Sequence, residues 1–515
     1  MLWLLPVGLL IGSAAASERA QLPTTLQKRS SLTIKQQLKT PQVPQLLQIP
    51  RGGAIKKKST KSSSAPANIK TARPPITDEG ASIPSHVFNL IKSIVGAGVL
   101  GLPAGIAAFG DAPTAVLPAL GLLMTIGSMS AYGFSLIGRL CYYTKSNTYR
   151  EAWANCVSPK SGWVPALACL LVTGCSVLSY SMILSNTIPA LANFVNKNIE
   201  WTATQGLTGI TLTVLLPLCL LKNLKSLAPF SLLGIFGMFY TCAAMVFRFF
   251  NGNYKQVEMI TEGGSTVLLN TGFLNSLDAT QLPKFGSKGA AAILSPNAFM
   301  LISMLSTAFM AHYNAPKFYW ELKDATLARF NTVLSASFVG SFLLMATVAV
   351  FGFGTFGGAS QGLILNNYST QDTFMTVSRF AVTLSLIFSY PLAFVGVRDG
   401  VLDMLQVPME KRTDGKMNVL TVLLLAGVTV LALLVNDLRL VMAFGGATWG
   451  NAVTYLFPTY MMYCYCKTLA AKPKKSKQEE NEYQSLKKEL PLTLMNGALG
   501  LVMGMIGTVR AIQSM

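Results

Sequence analysis

The stretch Phe88-Asn89-Leu90-Ile91-Lys92-Ser93-Ile94-Val95-Gly96-Ala97-Gly98-Val99-Leu100-Gly101-Leu102-Pro103 places a lysine inside an apolar run. A cation at the centre of a membrane helix costs roughly 2.5–3.5 kcal/mol on insertion scales. Within about two turns the same run is interrupted by Gly96, Gly98, Gly101 and Pro103. A helix that only anchored the chain would carry neither feature. A broken helix with an ionisable residue beside the break is how carriers build substrate and ion sites.

The composition agrees with a membrane setting. Of 515 residues, 51% are hydrophobic and only 12% charged, about half the charge of a soluble chain. Apolar runs long enough to cross a ~30 Å hydrocarbon core recur throughout. They predict about eleven spans, at 86–109, 113–140, 162–195, 206–222, 227–249, 294–319, 330–354, 372–395, 417–436, 438–463 and 490–511. The runs are continuous rather than alternating, so helices are expected and strands are not. The fold class is therefore an all-α, multi-pass membrane protein embedded in a lipid bilayer.

A formal charge of +20 would suggest nucleic acid in a soluble protein. Here Lys and Arg concentrate in alternate loops, from Arg139–Lys160 to Lys467–Lys488, which orients the N-terminus toward the cytoplasmic or stromal side. No nucleic-acid partner is expected. The eight cysteines fall mostly in or beside spans and read as small buried hydrophobes. Cys464 and Cys466 have no second pair or histidine cluster to complete a metal set. No nucleophile–base pair or phosphate loop is visible, so neither an enzyme nor a cofactor is expected.

Residues 1–17 resemble a signal segment, with an apolar core and small residues but no basic start. Residues 18–80 are basic, rich in Ser and Thr, and acid-poor between Glu18 and Asp78. That composition cannot form a core and is transit-like. A plastid envelope is one destination; an endomembrane or the plasma membrane is the other. A cleaved signal conflicts with the loop charges, which favour an N-terminus inside. Asn367-Tyr368-Ser369 is a glycosylation sequon.

The candidate site grows from the first break. Unwound backbone at Gly96, Ala97 and Gly98 can bind a carboxylate through amides and an ammonium through carbonyls. An amino acid supplies both groups; a glycine-lined packing face is the alternative. The sixth span has a matching irregularity from Ser306 to Pro316, including Thr307, Ala308 and Phe309. Spans 1 and 6 are equivalent positions in a five-plus-five inverted repeat. His312 is either a proton carrier or a hydrogen-bonded packing residue. In span 8, Thr383, Ser385 and Ser389 either ligate sodium or bond back to their own helix, while Arg379 can snorkel outward. In span 3, Thr173, Ser176, Ser179 and Tyr180 form a polar set, with Tyr180 a candidate pocket wall.

The first-span motif, from Phe88-Asn89-Leu90 through Ile94-Val95-Gly96-Ala97-Gly98 to Pro103, resembles the opening signature of the amino acid/auxin permease family. His312 to Leu322, Arg379-Phe380-Ala381-Val382 and Pro391 to Arg398 resemble further family segments. The resemblance covers 84–465 and, more loosely, the last span, so 84–511 is taken as the transport domain. It implies a LeuT-type fold with broken helices 1 and 6, and secondary active transport of amino acids coupled to protons or sodium. Sodium-coupled members carry Asn where Lys92 stands, and proton-coupled members carry Lys. A tethered ammonium can occupy the space of a bound cation, which points to proton-coupled or sodium-independent transport. Snorkelling of Lys92 to the membrane face is the competing explanation. An amino acid sensor that signals from the membrane is the rival function.

Overall fold

The computed structural model describes residues 80–513, except 197–199, 222–227, 261–265, 406, 408–411 and 436. The signal-like segment, and the transit-like one up to residue 79, lie outside the described residues. Helices dominate. Seven are long and apolar enough to cross a bilayer, from Pro113–Thr144 to Glu479–Gln513, and an eighth crossing is the bent pair Ile83–Ile94 and Gly98–Ala107.

The other three expected spans are built from shorter pieces. Span 4 is Ala203–Cys219, with a π turn at Thr211–Leu215 that eases the chain toward Pro217. Span 6 is Ala298–Ala308 followed by Ala315–Trp320. Span 10 runs from Leu438–Gly445 through two π turns, Gly446–Gly450 and Ala452–Leu456, into Phe457–Ala471. By length and composition alone, eight crossings are licensed; the expected eleven exceed that number.

Three further features differ from the sequence expectation. Span 8 extends beyond residue 395 to Met404, with Pro391 inside an unbroken helix (Thr373–Met404). The loop after span 5 carries a two-stranded antiparallel ribbon, β1 (Gln256–Ile260) and β2 (Thr266–Asn270). A short helix, Tyr149–Cys156, lies between spans 2 and 3, its first turn capped by Thr148, which accepts the Glu151 N–H at 3.1 Å.

The packing repeats with a shift of five spans. Span 7 packs on span 1, and span 2 packs on span 6. Span 9 packs on span 3, and span 4 on span 8; span 5 packs on span 8, and span 10 on span 3. Each pair has its counterpart, as expected of a LeuT-type five-plus-five inverted repeat with helices 1 and 6 broken. Helix 11 (Lys477–Gln513) lies against spans 6 and 10. It is fastened to span 2 by the part-buried Arg139–Glu489 ion pair at 2.7 Å and by the Tyr132–Thr493 hydroxyl pair at 2.6 Å.

Candidate functional site

Span 1 starts cleanly. Ser82 caps it by accepting the Ser85 N–H at 3.5 Å, and Pro84 sits in the first turn, where it costs no hydrogen bond. The helix ends at Ile94, and Gly96 is extended, with φ −91° and ψ −171°. The chain restarts as a tight turn, Ala97–Gly101, before Leu102–Ala107, and the two halves meet at 45°. Each glycine costs about 1 kcal/mol of helix preference relative to Ala, so Gly96-Ala97-Gly98 concentrates the break there.

Lys92 stands in the last turn of the first half-helix and is half-buried. It forms no ion pair or hydrogen bond among the described residues. The C-terminal end of a helix carries roughly half a negative charge, so a cation is favoured there. Its neighbour Ser93 accepts a hydrogen bond from Asn314 Nδ2 at 3.2 Å. That contact joins the two broken spans at their breaks.

Span 6 stops at Ala308. Phe309, Met310 and Ala311 leave the helix, and His312–Asn314 forms a single tight turn. Thr307 Oγ1 donates to the Met442 carbonyl at 2.6 Å, which ties this break to span 10. The Met442 side chain reaches across to span 1: a Cβ on Gly98 would stand 2.8 Å from Met442 Cε. Gly446 approaches span 6 so closely that a Cβ there would overlap the Ser303 carbonyl and Thr307 Oγ1. Gly445 faces Cys175 of span 3, and Gly450 faces Met310. The π turns of span 10 therefore wrap the second break. This part of the site was not anticipated, although the glycines at 445, 446 and 450 were its signal.

Tyr180 does reach the first break. A Cβ on Gly96 would meet Tyr180 Oη at 3.8 Å, an ordinary contact, so the tyrosine hydroxyl sits against the first break. The Tyr180 ring lies 6.4 Å from that of Tyr390 in span 8, whose hydroxyl meets Ser181 at 2.9 Å. The other polar residues of span 3 bond to their own helix: Thr173 to Cys169 and Leu170, Ser176 to Val172, Ser179 to Cys175.

Other expected site residues are placed elsewhere. Phe309 sits at the break through its backbone, but its ring is fully buried, stacked on Phe338 at 6.0 Å and pressed against Gly127. Ala308 is buried beside it. The span 8 hydroxyls do not converge. Thr383 bonds Thr187 of span 3 at 3.0 Å, and Ser385 abuts Gly234 of span 5. Ser385 and Ser389 form no hydrogen bond among the described residues.

His312 is fully buried. Its Nε2 lies 2.8 Å from the Ser130 carbonyl and so donates; Nδ1 accepts from Thr454 Oγ1 at 3.4 Å. A neutral ring satisfies both bonds. Ser130, Tyr455 and Ser306 continue this network between spans 2, 10 and 6, at 2.9 and 3.4 Å.

Arg379 does not snorkel. It is 2% exposed and donates to the carbonyls of Tyr368 (2.6 Å), Leu365 (2.7 Å) and Ser369 (3.2 Å). It closes the turn before span 8, where unpaired carbonyls would otherwise be buried. The sequon is sealed as well. Asn367 is fully buried, donates to the Ala359 carbonyl at 2.9 Å and accepts the Gln361 N–H at 2.8 Å.

The chain is 26% identical over 422 residues to sodium-coupled neutral amino acid symporter 2 of Danio rerio, covering 78% of each chain. It is 23% identical over 384 residues to a putative sodium-coupled neutral amino acid transporter 11 of the same organism, covering 74% of this chain and 78% of the other. The crystal structure of MhsT in complex with L-phenylalanine superposes with a TM-score of 0.48 at 14% identity, covering 82% of this chain and 99% of MhsT. The family model described as transmembrane amino acid transporter protein matches residues 79–510. The protein is thus an integral, multi-pass member of the transmembrane amino acid transporter family, and a carrier rather than an enzyme.

Proposed function

We propose that the protein moves amino acids by alternating access, with protons or no ion in place of sodium. The substrate binds at the unwound backbone around Gly96, beside the Tyr180 hydroxyl, with the two breaks supplying amides and carbonyls for its charged ends. The observation that carries this reading is Lys92. Its ammonium stands at the negative end of a half-helix, without a carboxylate partner among the described residues, where the resemblance puts a neutral sodium ligand in related carriers. A fixed cation there takes over the role of a bound one, and loss and gain of its proton replaces ion binding and release.

Sodium coupling is the second reading. It is supported by the names of the two relatives and by the hydroxyls of Ser385 and Ser389, which form no hydrogen bond among the described residues. Uptake of labelled amino acids into proteoliposomes, with pH and sodium gradients imposed separately, decides between them. Accumulation driven by an acid outside, without sodium and lost in Lys92→Gln, is the expected result. Uptake that requires sodium and ignores pH would sink the proposal.

A further inference from the structure

We propose a binding site for an anionic phospholipid where spans 5 and 7 reach the β1–β2 loop. A cavity of about 580 Å³ opens there, within the usual size of a ligand site. Its polar lining includes Arg248, Lys255, Lys284 and Gln256, and its apolar lining Phe249 and Phe285. Among the described residues, no acidic one lines it. Lys255 and Lys284 are exposed and form no ion pair among the described residues.

Arg248 is 7% exposed and gives one nitrogen to Asp372 at 2.7 Å. Asp372 is shared, since it also accepts the Tyr254 hydroxyl at 2.9 Å. Arg248 Nε is buried with no partner. Its guanidinium lies over the rings of Phe374 and Phe273, at 4.7 and 5.1 Å, so it stands as a fixed positive charge in the wall. That charge with the two free ammonium groups fits an acceptor-rich anion such as a phosphate.

The apolar wall selects a lipid phosphate over a dissolved one. Phe249 packs edge-on against Phe250 and Phe351, each at 5.3 Å. Phe250 is 73% exposed at the end of span 5. The aromatic surface thus continues from the cavity wall onto the outside of the bundle, the setting in which aromatic rings meet headgroups and acyl chains at a bilayer interface. A headgroup phosphate rests among Lys255, Lys284 and Arg248, and its chains run along Phe249 and Phe250.

Native mass spectrometry of the purified full-length chain, titrated with dioleoyl phosphatidylglycerol or dioleoyl phosphatidylcholine, tests the assignment. A charge-assisted contact is worth roughly a factor of ten or more, so Lys255→Ala with Lys284→Ala should weaken phosphatidylglycerol binding by about tenfold or more. Lys288→Ala, on the same loop but outside the cavity lining, should leave binding unchanged. Equal binding of the two lipids, or undiminished phosphatidylglycerol binding in the double variant, would overturn the proposal. Competition by inorganic phosphate at equal concentration would overturn the lipid assignment and leave a free-anion site. The site does not depend on the coupling ion and is scored without measuring transport.

Discussion

Two glycine substitutions separate packing from substrate space. A Cβ on Gly446 would collide with the Ser303 carbonyl oxygen and Thr307 Oγ1, and would stand 3.0 Å from the Ser303 carbonyl carbon. Carbon atoms settle about 3.5–4.0 Å apart, so span 10 has to withdraw from span 6 by about 1 Å. That stretches the 2.6 Å bond from Thr307 to the Met442 carbonyl beyond hydrogen-bonding range. The Met442 carbonyl keeps the Gly446 N–H and Thr307 keeps its longer bond to the Ser303 carbonyl, so the cost is mainly that of overpacking, about 1–3 kcal/mol.

Gly96 offers the opposite case. The nearest atom to its Cβ position is Tyr180 Oη at 3.8 Å, an ordinary contact, and extended backbone suits any residue. Gly96→Ala should therefore change stability by no more than about 0.5 kcal/mol. Its methyl group nonetheless projects toward Tyr180, where the substrate is proposed to lie. Thermal unfolding of detergent-purified protein should show a clear loss for Gly446→Ala and none for Gly96→Ala. Amino acid uptake should show a raised KM for Gly96→Ala. A Gly446→Ala protein that melts with the wild type, or a Gly96→Ala protein that melts early yet transports normally, would refute this division.

Glu489→Gln keeps an acceptor for the Arg139 guanidinium but removes its counter-charge, and should cost about 1–3 kcal/mol in thermal unfolding; an unshifted transition would mean the charge pair contributes nothing. His312→Gln keeps a donor for the Ser130 carbonyl, so its pH–uptake profile should match the wild type, while His312→Leu should lower stability. A pH profile flattened by the glutamine alone would instead make His312 the proton carrier. Expression in a glycosylating host should give no mass shift on removal of N-glycans at Asn367, because both amide atoms are already used inside the fold.

The breaks in spans 1 and 6 were legible in the sequence because their causes are local: glycines in one, clustered polar residues and Pro316 in the other. The end of span 8 was misjudged because Arg398, Asp399 and Asp403 look like a loop. In the structure Arg398 pairs with Asp399 at 3.6 Å and Arg412 pairs with Asp403, so the charges ride on helix. The direction of Arg379 and the role of Met442 depend on partners far along the chain, which no local pattern encodes. The helix at Tyr149–Cys156 was readable in principle. Thr148 followed three residues later by Glu151 is a helix-start signature.

The Ser93–Asn314 bond has a mechanical meaning. It couples the first half of span 1 to the second half of span 6, segments from opposite repeats of the fold. Two levers pinned to each other at one point swing as a single part. Probes attached to Ile83–Ile94 and to Ala315–Trp320 should hold a constant separation through a transport cycle while both change distance from span 3. Cutting the pin with Asn314→Ala should let the two distances vary independently.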